Sequence, residues 1–214
     1  MTSRRLGRQT IPPEAVAALR EMDPVLRDVI DRVGTFEASH EPDLWWALVD
    51  AIVSQQLSVK AAATISGRVA ALGPEGQRPT PEHFLELEDE VLRAAGLSRA
   101  KTVYMKDLAA KWVDGTLEPD RLPDLSDDEV VEHLVRVKGV GRWTAEMILL
   151  FTLRRPDVLP VDDLGLRAAV HRAYDLPERP DRARVTEIGE RWRPYRSAAT
   201  LYLWRSLEPT VSEG

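Results

Sequence analysis

The sequence predicts an all-α fold, and two observations carry this prediction. Apolar residues recur three or four positions apart through Leu44–Ile52 and again through Ala62–Leu72, the spacing that places side chains on one face of a helix. No segment alternates convincingly between apolar and polar residues, so we expect almost no β-sheet.

Helix boundaries support the same prediction. Gly73-Pro74 ends the second of these periodic segments. Ser98 is placed to cap a helix that runs to about Val113. Ser126–Glu129 has the pattern of a capping box ahead of another apolar face, and Pro194 opens a further helix near the C-terminus.

The composition is that of an ordinary globular protein. The 214 residues are 43% apolar and 30% charged, enough for one large domain or two small domains sharing an interface. No stretch approaches the roughly 18 apolar residues of a membrane span, and residues 1–10 lack the apolar core of a signal peptide. We therefore expect a cytoplasmic protein with no membrane partner.

Cysteine is absent, which excludes disulfides, thiol catalysis and cysteine-ligated zinc or iron–sulfur clusters. The four histidines are too widely separated to form a metal-ligand motif. The net charge of −6 argues weakly against nucleic acid as a partner. Basic residues nevertheless gather in 93–111, 136–142 and 167–205, and these clusters permit DNA binding without demonstrating it.

A glycine hairpin lies between two helical stretches at Val137–Thr144. Gly139 and Gly141 allow a tight turn with positive φ and close approach of another molecule. The next helix begins near Arg142, so its free N–H groups form an anion site, to which Lys138 and Arg142 add charge. A phosphate bound there would hold DNA without reading its sequence. A plain helix–turn–helix connection has equal weight from spacing alone.

Two aspartates, Asp162 and Asp163, precede another helix about twenty residues after the hairpin. Asp163 is the predicted N-cap, and a helix N-terminus stabilises a carboxylate. Capping is compatible with catalysis, because a capped carboxylate stays ionised and rigidly placed.

Five segments in this order carry a resemblance to a known family. They are Ala51–Ser58, Ala95–Lys101, the Gly139 hairpin, Val161–Asp163, and Trp192–Ser197 leading to Trp204. Together they resemble the helix-hairpin-helix DNA glycosylases, specifically the 3-methyladenine DNA glycosylase II branch, over about residues 42–204. One segment alone would be weak evidence, whereas five at the family's spacings are strong.

The resemblance implies two helical subdomains with a cleft between them, in the compact form that lacks the N-terminal β-domain of longer bacterial members. Residues 1–40 would pack with the C-terminal segment. Residues 41–160 would form a central bundle with the helix-hairpin-helix at about 128–152. Residues 161–214 would supply the catalytic aspartate loop and the helices that complete the first subdomain.

The resemblance also implies a monofunctional glycosylase that hydrolyses the N-glycosidic bond of alkylated bases, such as 3-methyladenine and related purine lesions, in duplex DNA. Asp163 matches the catalytic carboxylate, with Asp162 as its rival. Bifunctional relatives place a nucleophilic lysine directly after the Gly-x-Gly-Arg of the hairpin, where this chain has Trp143. Lys101 and Lys60 could still reach a cleft, although by pattern both sit in polar surroundings.

Four residues match the family's base pocket: Trp143, Trp204, Met147 and Trp46. Electron-deficient alkylated purines stack well on indole rings. Some relatives have tyrosine where this chain has Met147. Trp45 and Trp46 diverge by about 100° on a helix, so one faces the pocket and the other the core.

The family fills the gap left by the extruded base with a wedge, which here falls on Gln56 or Leu57. Leu57 as a core residue is at least as reasonable, and Ser58 would cap the next helix. Predicted DNA contacts are Lys138, Gly139, Gly141, Arg142 and Thr144. The resemblance adds a monovalent cation on the backbone carbonyls of 137–142.

The expected partner is double-stranded DNA containing damaged bases, bound by a monomer that needs no cofactor; a bacterial version would be nucleoid-associated. Two alternatives remain open. A non-catalytic helix-hairpin-helix DNA-binding protein would share the hairpin but would not need Asp163 or the paired indoles. A glycosylase for deaminated or mispaired bases would differ in its lesion.

Overall fold

The computed structural model describes residues 7–208 and is mostly helical, as predicted. The predicted terminal ranges are 1–40 and 161–214. Of these, residues 1–6 and 209–214 lie outside the described residues. Between them the α-helices are, in chain order, α1 (Pro13–Met22), α2 (Pro24–Val33), α3 (Leu44–Ser54), α4 (Val59–Ala70), α5 (Pro81–Glu86), α6 (Asp89–Ala94), α7 (Arg99–Val113), α8 (Asp127–Leu134), α9 (Arg142–Phe151), α10 (Leu164–Ala173), α11 (Arg182–Glu190) and α12 (Arg196–Arg205).

A two-stranded ribbon is the sheet structure that the sequence pattern did not reveal. Strands β1 (Gly7–Thr10) and β2 (Glu37–His40) pair antiparallel, with Gly7 opposite His40 and Thr10 opposite Glu37. Each strand has four residues, which is too short for alternation to stand out from chance.

The capping predictions are confirmed where their signals were strongest. Ser126 and Glu129 form a reciprocal capping box, in which the Glu129 carboxylate accepts the Ser126 N–H at 2.8 Å. Ser98 caps α7, which ends at Val113. The last helix begins later than predicted, because Tyr195 still has non-helical backbone angles and α12 starts at Arg196.

The described residues divide into two compact units. Residues 7–40 and 149–208 form the terminal unit, and residues 41–148 form the central unit. Residues 149–160 belong to the terminal unit and not, as predicted, to the central bundle. The Ser197 hydroxyl donates to the Arg155 carbonyl at 2.6 Å and accepts the Val158 N–H at 2.9 Å, which ties this loop to α12.

The terminal unit packs α1, α2, α10 and α12 around one apolar core, which includes Leu19, Leu26, Leu166 and Trp192. A fully buried carboxylate, Asp23, lies at its edge. Asp23 Oδ1 accepts the backbone N–H groups that begin α2, and Oδ2 accepts the indole N–H of Trp192 at 3.1 Å.

The Tyr174 hydroxyl donates to the same Asp23 oxygen. Burial, reinforced by the hydrogen bond to Asp23 and by its charge, raises the pKa of Tyr174. One carboxylate thus joins α2, the end of α10 and the segment that follows α11.

We expect Asp23→Ala to lower the free energy of unfolding by roughly 2–4 kcal/mol, because α2 loses its cap, and the buried Trp192 indole and the half-buried Tyr174 hydroxyl lose their acceptor. Urea unfolding followed by circular dichroism measures this. Asp31→Ala is the matched control: its surface carboxylate pairs with Arg20, and exposed ion pairs contribute less than about 1 kcal/mol. Equal effects of the two variants would contradict the prediction.

The central unit packs α3, α5 and α6 against α7. Its buried side chains include Ile52, Phe84, Met105 and Leu108. The unit also contains α4, α8 and the start of α9. Among residues 7–208, no helix combines the length and apolar character that a membrane span requires.

Candidate functional site

The Asp163 carboxylate is held by donors from two helices. Asp163 caps α10, as predicted, and its Oδ1 accepts the Leu166 N–H at 2.6 Å. The same oxygen accepts the indole N–H of Trp204, from α12, at 2.8 Å. The side chain is half-buried, so the carboxylate is fixed in orientation and partly exposed.

Trp204 is itself fixed, because its ring stacks on Phe151 with centroids 6.0 Å apart and planes 16° apart. Its N–H group is used on Asp163, so the indole positions the carboxylate. The base-stacking role predicted for Trp204 stays a prediction.

Asp162 has a different environment. Its carboxylate is exposed and pairs with the Arg182 guanidinium at 3.0 Å. This placement supports Asp163 over Asp162 as the catalytic candidate.

Gly165 is a site residue to which the sequence analysis gave no role. A Cβ atom at this position would lie 3.0 Å from Asp163 Oδ1 and 3.4 Å from the Trp204 ring. Glycine therefore permits the close approach of carboxylate and indole. The available signal was a glycine in the first turn of α10, where glycine is about 1 kcal/mol less favourable than alanine.

The hairpin spans 135–141, between α8 and α9. Gly139 has φ +81°, and a Cβ atom there would lie 2.2 Å from the Tyr104 ring. Glycine is thus required at position 139 by both backbone angle and packing. Gly141 does not have the predicted positive φ, because the chain is already entering α9 and the Gly141 carbonyl accepts the Ala145 N–H. A Cβ atom at 141 would meet nothing within 4 Å, which leaves this surface open.

The two predicted cations of the hairpin have acidic neighbours. Lys138 donates its N–H to Asp107 at 2.8 Å, and its ammonium lies 3.5 Å from the same carboxylate. Burial opposes ionisation of Asp107, but hydrogen bonds from Lys111 and the Lys138 N–H hold the pKa of Asp107 below its usual value. Arg142 pairs with Glu146 at 3.2 Å and with Asp128 at 3.4 Å.

Thr144 is only 5% exposed, and its predicted contact with DNA stays a prediction. It lies in the first turn of α9, on the side that packs inward. A contact to DNA would therefore come from the backbone N–H and not from the hydroxyl.

The candidate pocket residues differ in exposure. Trp143 is 44% exposed, and Met147, one turn later on α9, is half-buried. Trp46 is only 5% exposed, and the Arg78 guanidinium covers its ring at 4.5 Å from the centroid. A base could stack on that face of Trp46 only after Arg78 moves.

Trp45 is a core residue. Its ring packs edge-on against Phe84 and Trp112. Its N–H donates to the Pro79 carbonyl at 2.9 Å. Of the two adjacent tryptophans, Trp45 is therefore the one that faces the core.

The wedge loop, defined here as residues 55–58, joins α3 to α4. Gln56 is exposed and has φ +56°, and Leu57 is 38% exposed, so neither is a core residue. Ser58 caps α4, as predicted. Gln55 Nε2 donates to the Gly139 carbonyl at 2.7 Å. The central unit thus brings the wedge loop and the hairpin together.

No cluster of three metal-ligating side chains occurs in the described part of the chain. The Val137, Gly139 and Gly141 carbonyls each accept one hydrogen bond, from Val140, Gln55 and Ala145. A carbonyl oxygen has two lone pairs, so these groups are compatible with a monovalent cation. The cation itself stays a prediction.

Residues 49–194 match the family described as the HhH-GPD superfamily base excision DNA repair protein. The chain is 39% identical over 160 residues to DNA-3-methyladenine glycosylase 1 of Schizosaccharomyces pombe, a match covering 74% of this chain and 70% of that protein. It is 30% identical over 166 residues to DNA-3-methyladenine glycosylase 2 of Escherichia coli, covering 73% of this chain and 55% of the relative. The chain belongs to the HhH-GPD superfamily.

Solved structures agree with this membership. The S. pombe 3-methyladenine DNA glycosylase in complex with abasic DNA superposes with a TM-score of 0.82 at 36% identity, covering 89% of this chain and 95% of that one. A DNA-3-methyladenine glycosidase from Bacillus halodurans gives a TM-score of 0.80 at 36% identity, with 91% and 89% covered.

Proposed function

We propose that this protein is a monofunctional DNA glycosylase that hydrolyses the N-glycosidic bond of alkylated purines, such as 3-methyladenine, in duplex DNA. The Asp163 carboxylate, fixed by the Leu166 N–H and the Trp204 indole, carries this proposal. The names of the relatives and the DNA in the S. pombe complex support the substrate class.

The chemistry needs one well-placed negative charge. As the bond between the sugar and the base breaks, the base keeps the electron pair and positive charge develops on the sugar. An ionised Asp163 would stabilise that charge and orient the attacking water, which is electrostatic catalysis by a preorganised group. The two hydrogen bonds that Oδ1 accepts fix the orientation of the carboxylate toward the sugar and the water.

The hairpin would supply affinity. The N–H groups at the start of α9 and the open surface at Gly141 suit a DNA phosphate. We further propose that a monomer extrudes the damaged base while Gln56 or Leu57 occupies the gap, and that the protein acts in the cytoplasm. Trp143 is partly exposed, and it is the ring on which we propose that the extruded base stacks.

Duplexes that each hold one lesion test the function. We expect alkali-sensitive abasic sites in duplexes containing alkylated purines and none in undamaged duplex. Binding of lesion DNA without any excision would support the non-catalytic alternative. Excision confined to deaminated or mispaired bases would assign the other class of glycosylase.

The reaction should release free base and leave an intact abasic strand, and borohydride should trap no protein–DNA adduct. Trp143 occupies the position of the nucleophilic lysine, and Lys60 is exposed. Lys101 is half-buried, and burial lowers its pKa. Its ammonium donates to the Val53 and Gln55 carbonyls, both at 2.7 Å. We therefore assign it a structural role and not that of a nucleophile. Gel electrophoresis after borohydride treatment measures the adduct.

A trapped complex on lesion DNA would overturn the monofunctional assignment. Its loss in Lys101→Ala or Lys60→Ala would then identify the nucleophile.

Gly165→Ala should slow excision about tenfold, because the added Cβ displaces Asp163 or Trp204 by a few tenths of an ångström and catalysis is sensitive to such misplacement. Single-turnover kinetics measure the rate, and thermal unfolding reports on the fold. Gly67→Ala is the matched control, since Gly67 is a helical glycine of α4 with nothing within 4 Å. Equal rates for both variants would argue against a role for Gly165.

A further inference from the structure

Helix α7 carries three lysines with a common type of contact. Each ammonium donates to backbone carbonyls at the end of another helix. These lysines are Lys101 at the end of α3, Lys106 at the end of α5, and Lys111 just after α8. The last carbonyls of a helix lack intrahelical donors and lie at its negative end, so each lysine satisfies and neutralises one helix terminus.

Lys101 differs from the other two because a strained loop residue lies directly beyond the helix end that it holds. Its ammonium lies 2.7 Å from both the Val53 and Gln55 carbonyls. The next residue, Gln56, has φ +56°, a left-handed backbone angle that is uncommon for residues other than glycine. The contact therefore fixes the chain immediately before the strained residue of the wedge loop.

A second contact joins the wedge loop to the hairpin. Gln55, whose carbonyl Lys101 holds, donates its side-chain amide to the Gly139 carbonyl at 2.7 Å. Gly139 in turn packs on the ring of Tyr104, three residues after Lys101 on α7. One face of α7 thus supports the wedge loop and the hairpin at neighbouring turns.

The sequence around Lys101 fits this placement. Ser98 caps α7 by accepting the Lys101 N–H, which sets where the lysine side chain starts. Lys101 is half-buried, and the same burial lowers its pKa.

We propose that Lys101 is a positioning residue that holds the wedge loop in the conformation needed to enter DNA, and that Gln55 keeps this loop in register with the hairpin. The inference rests on the proposed function. Lys101 touches no reacting atom, and its effect falls on insertion of the wedge and not on the grip of the hairpin on phosphate.

The test uses the full chain and a duplex with 2-aminopurine beside a tetrahydrofuran abasic-site analogue. Wedge insertion unstacks the 2-aminopurine and raises its fluorescence without any chemistry. Amide hydrogen exchange of residues 54–58 in the free protein gives a second readout. Titration of binding to the same duplex gives a third.

Lys101→Met should lose most of the fluorescence rise and speed exchange in residues 54–58 by about tenfold or more, because charged hydrogen bonds are lost. Binding should change by less than about threefold, since the phosphate contacts remain. Lys106→Met, which removes the same kind of contact at the end of α5, should match the wild type in all three. Lys101→Arg, which keeps the charge, should restore part of the fluorescence rise.

Wild-type fluorescence and exchange in Lys101→Met, or equal losses in Lys106→Met, would overturn the proposal. If Lys101→Met does not fold, Gln55→Met carries the test, because it removes only the amide bridge to Gly139. We then expect reduced fluorescence with unchanged binding, and a wild-type signal would overturn the proposal. A wild-type protein that excises no lesion would remove the proposed function, whereas the fluorescence and exchange results judge Lys101 separately.

Discussion

The Asp163→Asn variant is expected to excise damaged bases roughly 10²–10³-fold more slowly than the wild type, the usual effect of removing one preorganised electrostatic group. Asparagine is an equally good N-cap, and its amide oxygen can still accept the Leu166 and Trp204 N–H groups. The variant therefore removes charge while keeping the local structure. Binding to lesion duplex should stay close to that of the wild type. Single-turnover excision and equilibrium binding measure the two quantities.

Asp162→Asn is the matched control. Its carboxylate is exposed and pairs with Arg182, so excision should be close to that of the wild type. Full activity in Asp163→Asn together with lost activity in Asp162→Asn would move the catalytic role to Asp162.

Replacement of Gly139 by valine should weaken binding to damaged and undamaged duplex alike, by about 10–100-fold. A β-branched residue at φ +81° costs roughly 1–3 kcal/mol, and the new side chain would collide with the Tyr104 ring. The loss should not depend on the lesion, because phosphate contacts carry no base information. Binding titrations with both duplexes measure it.

Gly115→Val separates backbone strain from the hairpin itself. Gly115 has φ +78° in the turn after α7, and a Cβ atom there would meet nothing within 4 Å. This variant should be destabilised but should bind DNA normally once folded. A folded Gly139→Val protein that binds as tightly as the wild type would remove the hairpin from the DNA interface.

Local patterns predicted the features that depend on neighbouring residues. The caps at Ser98, Ser126 and Asp163 were all readable, because a capping side chain bonds to a backbone N–H two or three residues away. The sequence had left open whether Leu57 is a wedge or a core residue, and its exposure excludes the core.

Features that depend on distant residues were not readable. Arg78 covers Trp46 from a separate loop far along the chain, and Lys101 holds carbonyls in α3 and the wedge loop. The need for Gly165 arises from Trp204 in another helix. In each case the partner residue is determined by tertiary packing, which cannot be deduced from a single sequence.

The carbonyl contacts of α7 also change how the protein should respond to ionic strength. Lys101, Lys106 and Lys111 belong to the basic cluster at residues 93–111, yet all three ammonium groups are directed at helix ends. A cation used in this way displaces no condensed counterion from DNA. Each neutralised phosphate contributes about −0.9 to the slope of log K against log salt concentration. A slope predicted by counting the basic residues of this cluster would therefore be too steep by about 0.9 for each of these lysines. Because these three lysines bind backbone carbonyls within the protein, its affinity for DNA should fall less steeply with salt concentration than its lysine content implies.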